Sequence, residues 1–322
     1  QKHKLTAMRI GLDAMGGDFA PKSVVCGAIL AQKELSSEDK IVLFGRENDI
    51  LQILSEQGVD SNLFEIVHTE EVIDMHDKPI KAFSQKTDSS LVVGFSHLKA
   101  GKIDSFASAG STGAMLVGTM YSVGVMEKVI RPCLAALVPK EKGGVTVLVD
   151  VGVNPDAKPE LLEQFGLLGS IYAKCALGID APKVALANIG EEEEKGNAQT
   201  LAAHKLMKEN KHYNFVGNAE PVEIFKSNAD VIVCDGFVGN MLMKHTEAFA
   251  RVIAKRGLVD DYIARFNYEI YGGLPLLGAN GVVVIGHGVS NEKAIKSMVL
   301  QSKTIYQSGI TEQLKVALAD KN

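Results

Sequence analysis

The stretch MRIGLDAMGGDFAP, residues 8–21, joins a short apolar run to a loop with two adjacent glycines. Glycine lets the backbone approach a ligand closely, and backbone N–H groups that open onto the start of a helix form an anion site. Four later loops of the same kind are SAGSTGA (108–114), NIGEEEEKGN (188–197), DGFVGN (235–240) and GHGVSN (286–291). The repetition predicts an α/β protein with one phosphate-binding cleft lined by many loops.

Short apolar runs and helix-like stretches alternate along the chain. The runs are RIGL (9–12), KIVLFG (40–45), FEIVH (64–68), IDSFASAG (103–110), CLAALVP (133–139), GVTVLVDVG (144–152), KVALANIG (183–190), YNFVGN (213–218), DVIVCDG (230–236) and GVVVIGHG (281–288). Helix-like stretches cover residues 21–35, 50–57, 89–100, 160–177, 199–209 and 293–318. This order predicts βαβ units and a three-layer α/β fold with a largely parallel, mixed sheet. Ligands of such sheets bind beyond the carboxyl ends of the strands, where the glycine-rich loops fall.

Composition limits the protein class. With 322 residues, of which 46% are hydrophobic, the chain can bury a large core. A net charge of −5 argues against nucleic acid as a partner, because binding a duplex requires a basic face. The four cysteines show no CxxC or metal-site spacing, and we expect buried, reduced thiols in a cytosolic protein. No window approaches the ~18 consecutive apolar residues that a membrane-spanning helix requires.

Domain organisation is expected to be simple. We predict that residues 8–322 form a single α/β catalytic domain with two closely joined lobes. Residues 1–7 precede Met8 and look unrelated to the strand that follows, so we interpret them as a non-native remnant.

Two loops in the first third of the chain are candidate phosphate cradles. Their candidate substrate-binding residues are Asp13, Gly16, Gly17 and Asp18 in DAMGGDFAP, and Ser111, Thr112 and Gly113 in SAGSTGA. Each loop can equally be a plain turn between a strand and a helix, with Asp18 as a partner of the helix dipole. Small residues ahead of an apolar helix nevertheless favour an anion site.

The middle of the chain offers two candidate cations. Lys195 follows four glutamates and precedes a predicted helix start at Gly196 and Asn197, where a cation can clamp phosphate or a developing oxyanion. Lys158 lies in LVDVGVNPDAKPE (148–160), whose Asp, Asn and Pro residues usually form turns. We take Lys195 as a catalytic candidate, and Lys158 and Asn197 as substrate-binding candidates.

The last two loops add polar groups. In DVIVCDGFVGN, Asp235 ends an apolar run, Gly239 shapes the turn, and Asn240 is either a helix cap or an amide that orients a substrate oxygen. His287 lies between two glycines, in an exposed setting that suits proton transfer or anion binding. Neither the G-x-x-x-x-G-K-[ST] nucleotide loop nor a complete G-x-G-x-x-G dinucleotide fingerprint is present, which argues against ATP and NAD.

Taken together and in order, these loops resemble those of the phosphate acyltransferase family PlsX. The strings that carry the resemblance are DAMGGDFAP, SAGSTGA, LVDVGVNPDAKPE, NIGEEEEKGN, FVGNAE, DVIVCDGFVGN, YGGLPLLG and IGHGVS, between Met8 and Ser290. The resemblance implies transfer of a fatty acyl group from acyl-acyl carrier protein to inorganic phosphate. It also implies a fold similar to the isocitrate and isopropylmalate dehydrogenases and the phosphotransacetylases.

The resemblance carries expectations about cellular context. It implies a homodimer, a role at the start of phospholipid synthesis ahead of a glycerol-3-phosphate acyltransferase, and a cytoplasmic location with peripheral membrane contact. Nothing in the chain calls for a metal or an organic cofactor. The family usually carries a longer amphipathic helical hairpin near residues 241–270, so this chain either lacks part of it or omits a piece near residues 254–259.

The chemistry assigns roles to the candidates. Phosphate attacks the thioester directly, and we expect Lys195 and Asn240 to orient the substrate and stabilise charge while Asp235 and His287 assist positioning or proton transfer. Three alternatives stay open. They are a short-chain phosphotransacylase that uses coenzyme A thioesters, an NAD-dependent decarboxylating dehydrogenase, and a scaffold for lipid-synthesis proteins alongside catalysis.

Overall fold

A computed structural model describes residues 7–319 of the chain. The predicted remnant, residues 1–7, lies outside the described residues except for Ala7. The chain divides into two compact units. Among the described residues, the first unit contains residues 7–125, 268–275 and 279–311, and the second contains residues 126–267, 276–278 and 312–319.

The first unit combines a sheet with helices. Its strands are β1 (Arg9–Asp13), β2 (Lys40–Gly45), β3 (Phe64–His68), β4 (Ser105–Ser108), the first three residues of β10 (Gly273–Leu277) and β11 (Val282–Gly286). Its helices are α1 (Lys22–Gln32), α2 (Glu47–Glu56), α3 (Pro79–Gln85), α4 (Ser90–Lys99), α5 (Thr112–Gly118), α10 (Tyr268–Tyr271) and α11 (Glu292–Gln307), with a 3₁₀ turn at Ser61–Leu63 and a π-helical turn at Thr119–Val123.

The strand order in this unit is β3-β2-β1-β4-β11-β10. All neighbouring strands are parallel except β10, which runs antiparallel to β11. Residues 41–45 of β2 are all buried, as expected for a parallel strand covered on both faces by helices. The carboxyl ends of β1, β4 and β11 therefore lie at one edge of the sheet, and each leads into a glycine-rich loop.

The second unit repeats this design with its own strands. They are the end of β10, β5 (Cys133–Pro139), β6 (Val145–Val149), β7 (Lys183–Ala187), β8 (Asn214–Ala219) and β9 (Val231–Val233). The helices are α6 (Pro159–Leu177), α7 (Ala198–Glu209), α8 (Gly236–Lys255), α9 (Asp261–Ala264) and most of α12 (Ile310–Ala319), with a 3₁₀ turn at Pro221–Phe225.

The strand order of the second unit is β10-β5-β6-β9-β7-β8. Strands β6, β9, β7 and β8 are parallel, whereas β5 runs antiparallel to both β6 and β10. Helix α6 packs closely on this sheet because Gly169 leaves room for Val231 and Val149. The predicted α/β fold with a largely parallel, mixed sheet is confirmed.

Helix α8 is the least buried long helix of the second unit. Only Gly236 and Gly239 of its 20 residues are buried, and large apolar side chains are exposed along it. They are Phe237, Val238, Met241, Phe249 and Val252. No helix within residues 7–319 is both long and apolar enough to cross a membrane.

The segment after α8 is anchored to the sheet. The helix ends at Lys255, and Gly257 adopts the left-handed conformation (φ +74°) that commonly follows a helix end. The Tyr262 hydroxyl of α9 then donates to the Pro139 carbonyl (3.2 Å), and Arg265 donates to the Lys140 carbonyl (2.9 Å). These bonds hold α9 at the end of β5.

Candidate active site

Two glycine-rich loops of the first unit are joined by a buried hydrogen-bond chain. Asp13, the last residue of β1, is 2% exposed, and its carboxylate accepts the Met15 N–H (3.0 Å) and the Ser108 hydroxyl (2.6 Å). The same hydroxyl accepts the N–H of Gly110 (2.9 Å). Asp13 and Ser108 thus fix the loops that follow β1 and β4 against each other.

Glycine is required where these loops meet. A Cβ at Gly16 would overlap the Asp13 carboxylate and lie 2.5 Å from the Ser108 hydroxyl oxygen. Gly17 has a φ of +110°, a conformation that side chains other than glycine rarely adopt. The next residue, Asp18, is exposed and donates its N–H to the Gly288 carbonyl (2.8 Å). This hydrogen bond brings the loop after β11 to the junction of the loops that follow β1 and β4.

The other candidates of the first unit border this junction. Ser111 caps α5 by accepting the Ala114 N–H (3.3 Å), and Thr112 beside it is exposed. Gly113 faces the Pro79 ring at the start of α3. The first N–H groups of a helix have no partner within the helix and are available to an anion.

His287 follows β11, and its ring makes two contacts. Its Nδ1 accepts the N–H of Val289 (3.3 Å), and the Tyr268 ring lies 6.3 Å away between centroids. Because Nδ1 accepts a backbone N–H, the neutral ring carries its proton on Nε2. The exposed imidazole therefore presents an N–H donor beside the junction of the three loops.

Burial raises the pKa of the Asp13 carboxyl above its ordinary value, against the opposing effect of hydrogen bonds from Ser108 and the backbone. The folded chain therefore keeps this proton over a pH range in which the unfolded chain has lost it. The unfolding free energy contributed by Asp13 falls as pH rises from about 3.9 to the folded pKa.

We expect Asp13→Asn to show a smaller loss of unfolding free energy over that pH range than the unmodified chain, measured by denaturant unfolding at a series of pH values. Asp180→Asn removes an exposed aspartate and serves as the control, which should keep the original slope. An unchanged slope in Asp13→Asn would show that the carboxyl does not hold its proton in this way.

Asp150 occupies the corresponding place in the second unit, directly after β6. It is fully buried and accepts the N–H groups of Leu134 (2.9 Å), Val153 (3.1 Å) and Asn154 (2.6 Å). Burial raises the pKa of this carboxyl, and these hydrogen bonds oppose the shift. The Asn154 amide donates to the same carboxylate (3.0 Å), so the loop after β6 is built around Asp150.

Helix α8 begins against this loop. Asp235 caps the helix by accepting the Val238 N–H (2.8 Å), and Gly236 donates its N–H to the Asn154 carbonyl (2.8 Å). A Cβ at Gly239 would overlap the Asp150 carbonyl oxygen. The Asn240 amide nitrogen lies 3.0 Å from the position of a Cβ on Gly152, so this side chain lies over the loop.

The loop that contains Lys195 is shaped by its neighbours. The Asn188 amide donates to the Lys195 carbonyl (3.0 Å), and Gly196 has a φ of +109°. Asn197 caps α7 through a reciprocal pair of bonds with Thr200. Within residues 7–319 the exposed Lys195 ammonium makes no hydrogen bond or ion pair, so its charge is available to a ligand.

Lys158 is connected to the same region. It is exposed and directly precedes α6, and the preceding carbonyl, that of Ala157, accepts a hydrogen bond from the Gln199 amide of α7. This bond joins the loop after β6 to the start of α7. Lys158 and Lys195 thus lie on connected loops of one unit.

The predicted residues fall into two groups. The first unit brings together Asp13, Gly16, Gly17, Asp18, Ser111, Thr112, Gly113 and His287. The second unit holds Lys158, Lys195, Asn197, Asp235, Gly239 and Asn240. No positioning role was predicted from the sequence for the residues that hold them in place, which are Ser108, Asp150, Asn154 and Asn188. The sequence signal that could have found Ser108, Asp150 and Asn188 is a polar residue at the end of an apolar run.

No group of three His, Cys, Asp or Glu side chains within the described residues could hold a metal ion. The thiols of Cys133 and Cys234 are buried, which raises the pKa of both well above the ordinary value. Neither is suited to act as a thiolate nucleophile.

Comparison with known proteins identifies the family. A family model described as "Fatty acid synthesis protein" matches residues 8–261. The chain is 40% identical to the phosphate acyltransferase of Syntrophomonas wolfei, over 97% of this chain and 99% of that protein. The chain belongs to the phosphate acyltransferase family. A phosphate acyltransferase from Caldicellulosiruptor bescii is 41% identical, over 96% of this chain and 97% of that one. Membership makes the chain a transferase enzyme.

Solved structures confirm the fold expected of this phosphate acyltransferase family member. A phosphotransacetylase from Streptococcus pyogenes superimposes with a TM-score of 0.68 at 18% identity, covering 95% of this chain and 94% of that one. A 4-hydroxythreonine-4-phosphate dehydrogenase from Klebsiella pneumoniae gives 0.59 at 13% identity, covering 93% and 100%. The predicted similarity to phosphotransacetylases and to a dehydrogenase-like fold is therefore confirmed.

Proposed function

We propose that this enzyme transfers a fatty acyl group from an acyl-acyl carrier protein to inorganic phosphate, which gives an acyl phosphate. The observation that carries the proposal is the junction of the three loops in the first unit. Asp13 and Ser108 lock two glycine-rich loops together, and Gly288 brings in the third. Glycine-rich backbone at strand ends is the usual cradle for a phosphate dianion.

The reaction is a direct displacement. A phosphate oxygen attacks the thioester carbonyl carbon, the tetrahedral intermediate collapses, and the carbon–sulfur bond breaks with the electron pair on sulfur. A thiol with a pKa of about 8.5 leaves readily as the thiolate, so no covalent acyl-enzyme is needed. The enzyme has to hold the phosphate, align the thioester and stabilise the oxyanion.

The candidate residues of the first unit are assigned to phosphate binding. The backbone of Gly16, Gly17 and Gly113 and the hydroxyls of Ser111 and Thr112 form the cradle. Asp13 supports it from within because its oxygens accept bonds from Met15 and Ser108. The exposed carboxylate of Asp18 is assigned to positioning at the edge of the cradle.

His287 is assigned to the leaving group. Its Nε2–H is free to donate because Nδ1 accepts the Val289 N–H. A hydrogen bond from this group to the departing sulfur stabilises the thiolate as it forms, and the thiolate then takes up the proton that the attacking hydrogen phosphate releases, which yields the thiol.

Lys195, Asn240 and the residues beside them are assigned to the acyl donor. The Lys195 ammonium, which makes no ion pair within residues 7–319, supplies positive charge to the oxyanion, and the Asn240 amide orients the reacting oxygen. Asp235 caps α8 and so positions Asn240. Lys158, Asn197 and Gly239 complete the substrate-binding set, and no metal or organic cofactor takes part.

The proposal extends to cellular context. We place the enzyme in the cytoplasm as a homodimer with peripheral membrane contact, supplying acyl phosphate to a glycerol-3-phosphate acyltransferase in phospholipid synthesis. The exposed apolar side chains of α8 support a role in contact with another surface, because large apolar groups are normally buried.

The identity of the donor is tested by competition. Purified enzyme is given palmitoyl-acyl carrier protein and butyryl-coenzyme A together with phosphate, and each acyl phosphate is measured by mass spectrometry. We expect palmitoyl phosphate to dominate. Butyryl phosphate as the main product would assign the enzyme to the short-chain phosphotransacylases, the class that shares its fold.

A further inference from the structure

We infer that an apolar rim around the phosphate cradle binds the part of the acyl chain beyond its fourth carbon and so sets the preference for long chains. This inference rests on the proposed function. The apolar rim consists of Phe19, Met75, Ile80 and Val289, which are 56%, 48%, 65% and 41% exposed. These side chains come from three separate stretches of the first unit.

Contacts place the rim at the cradle. The Asp18 N–H donates to the Gly288 carbonyl, so the neighbouring residues Phe19 and Val289 flank one hydrogen bond. The Met75 methyl group lies 3.5 Å from the position of a Cβ on Gly288. Next to Ile80, the Pro79 ring touches Gly113. All four rim residues thus border loops that we assign to phosphate.

The segment of residues 72–86, which contains Met75 and Ile80, is held in place while these two side chains stay exposed. The Lys86 ammonium donates to the Val72 carbonyl (2.8 Å) and to the Asp77 carboxylate (2.5 Å), which ties both ends of the turn to α3. Ile73 and Ala82 are buried and anchor the stretch to the unit. A secured turn that still exposes large apolar groups indicates a ligand-binding surface.

The chemistry of the reaction identifies the occupant. The carbonyl carbon has to come within bonding distance of the phosphate oxygen, so the alkyl chain attached to it starts beside the cradle. A long unbranched acyl chain is apolar from its second carbon onward, and the rim side chains remove from water the methylenes that lie beyond its fourth carbon. A two-carbon or four-carbon acyl group has no such methylenes and gains nothing from these contacts.

The test compares chain lengths on one carrier protein. Steady-state rates are measured for palmitoyl and butyryl thioesters with the unmodified enzyme, Met75→Ser and Ile80→Ser. We expect the ratio of kcat/KM for palmitoyl over butyryl to fall about tenfold in each variant, the loss that corresponds to one or two methylene contacts. Leu63→Ser is the control, because Leu63 is 44% exposed in the same unit and lies at the amino end of β3, away from the loops.

The outcomes separate the two proposals. An unchanged ratio in both rim variants, with normal acyl phosphate formation, overturns the rim and leaves the proposed function intact. A lack of acyl phosphate from the unmodified enzyme with either thioester overturns the proposed function itself. Circular dichroism checks folding, and Ile80→Ser decides the question if Met75→Ser does not fold, because Ile80 is the more exposed of the two.

Discussion

Replacing Lys195 with alanine is expected to lower kcat for acyl phosphate formation about 100-fold or more, with a much smaller change in KM. In the proposed mechanism, the ammonium stabilises negative charge that exists only in the transition state. Its loop is held by Asn188 and by the cap at Asn197, so removing the side chain beyond Cβ leaves the backbone in place. Steady-state kinetics with palmitoyl-acyl carrier protein measure the effect.

Lys205→Ala is the matched control for this substitution. Lys205 is an exposed lysine on α7 in the same unit, and its loss changes the net charge by the same amount. We expect it to retain near-normal kcat. A Lys195→Ala enzyme that turns over as fast as Lys205→Ala would remove Lys195 from the catalytic residues.

Replacing Gly239 with alanine is expected to reduce the free energy of unfolding by about 3 kcal/mol. The new Cβ would overlap the Asp150 carbonyl oxygen and lie 2.9 Å from the Cys234 sulfur. Neither atom can move away freely, because Asp150 is fully buried and its carboxylate accepts several backbone N–H groups. Denaturant unfolding monitored by circular dichroism measures the loss.

Gly288→Ala is the control substitution for this measurement of unfolding free energy. Its Cβ would lie 3.4 Å from the Asp18 carboxylate and 3.5 Å from the Met75 methyl group, which is ordinary contact. Alanine also reduces the freedom of the unfolded chain, so we expect a change in unfolding free energy within about 1 kcal/mol. A Gly239→Ala variant as stable as Gly288→Ala would show that α8 does not pack closely on the loop after β6.

Most strands could be predicted from the sequence because they are short apolar runs between turn residues. The exception is β10 (Gly273–Leu277), whose Pro275 lacks an N–H and argues against a strand. It forms because its first residues pair antiparallel with β11 and its last residues pair antiparallel with β5, with Pro275 opposite Val284 and Leu276 opposite Leu134. Such pairing depends on residues far along the chain and leaves no local signal.

Helix boundaries were less predictable. The sequence predicted one helix over 293–318, but the chain forms α11 and α12 with a break at Gly309, which has a φ of +68°. The predicted start at Pro21 was one residue early, because α1 begins at Lys22. The short helix α3 was not predicted, since seven residues give no clear periodicity.

The sequence predicted the loops of the candidate site, but it did not predict the hydrogen bonds that join them. Repeated glycines at strand ends predicted a ligand site beyond those strands, which stays a prediction. The hydrogen bond from Ser108 to Asp13 joins residues 95 positions apart, and only folding reveals it. The same holds for the bond between Gln199 and Ala157, which links the loops of the two candidate cations.

Direct transfer of the acyl group to phosphate is tested by mass-spectrometric detection of the product. Purified enzyme is mixed with palmitoyl-acyl carrier protein and ¹⁸O-labelled inorganic phosphate, without nucleotide or divalent metal. We expect palmitoyl phosphate that carries the label, together with one free carrier thiol for each product formed. Free palmitate without palmitoyl phosphate, or no reaction at all, would contradict direct transfer.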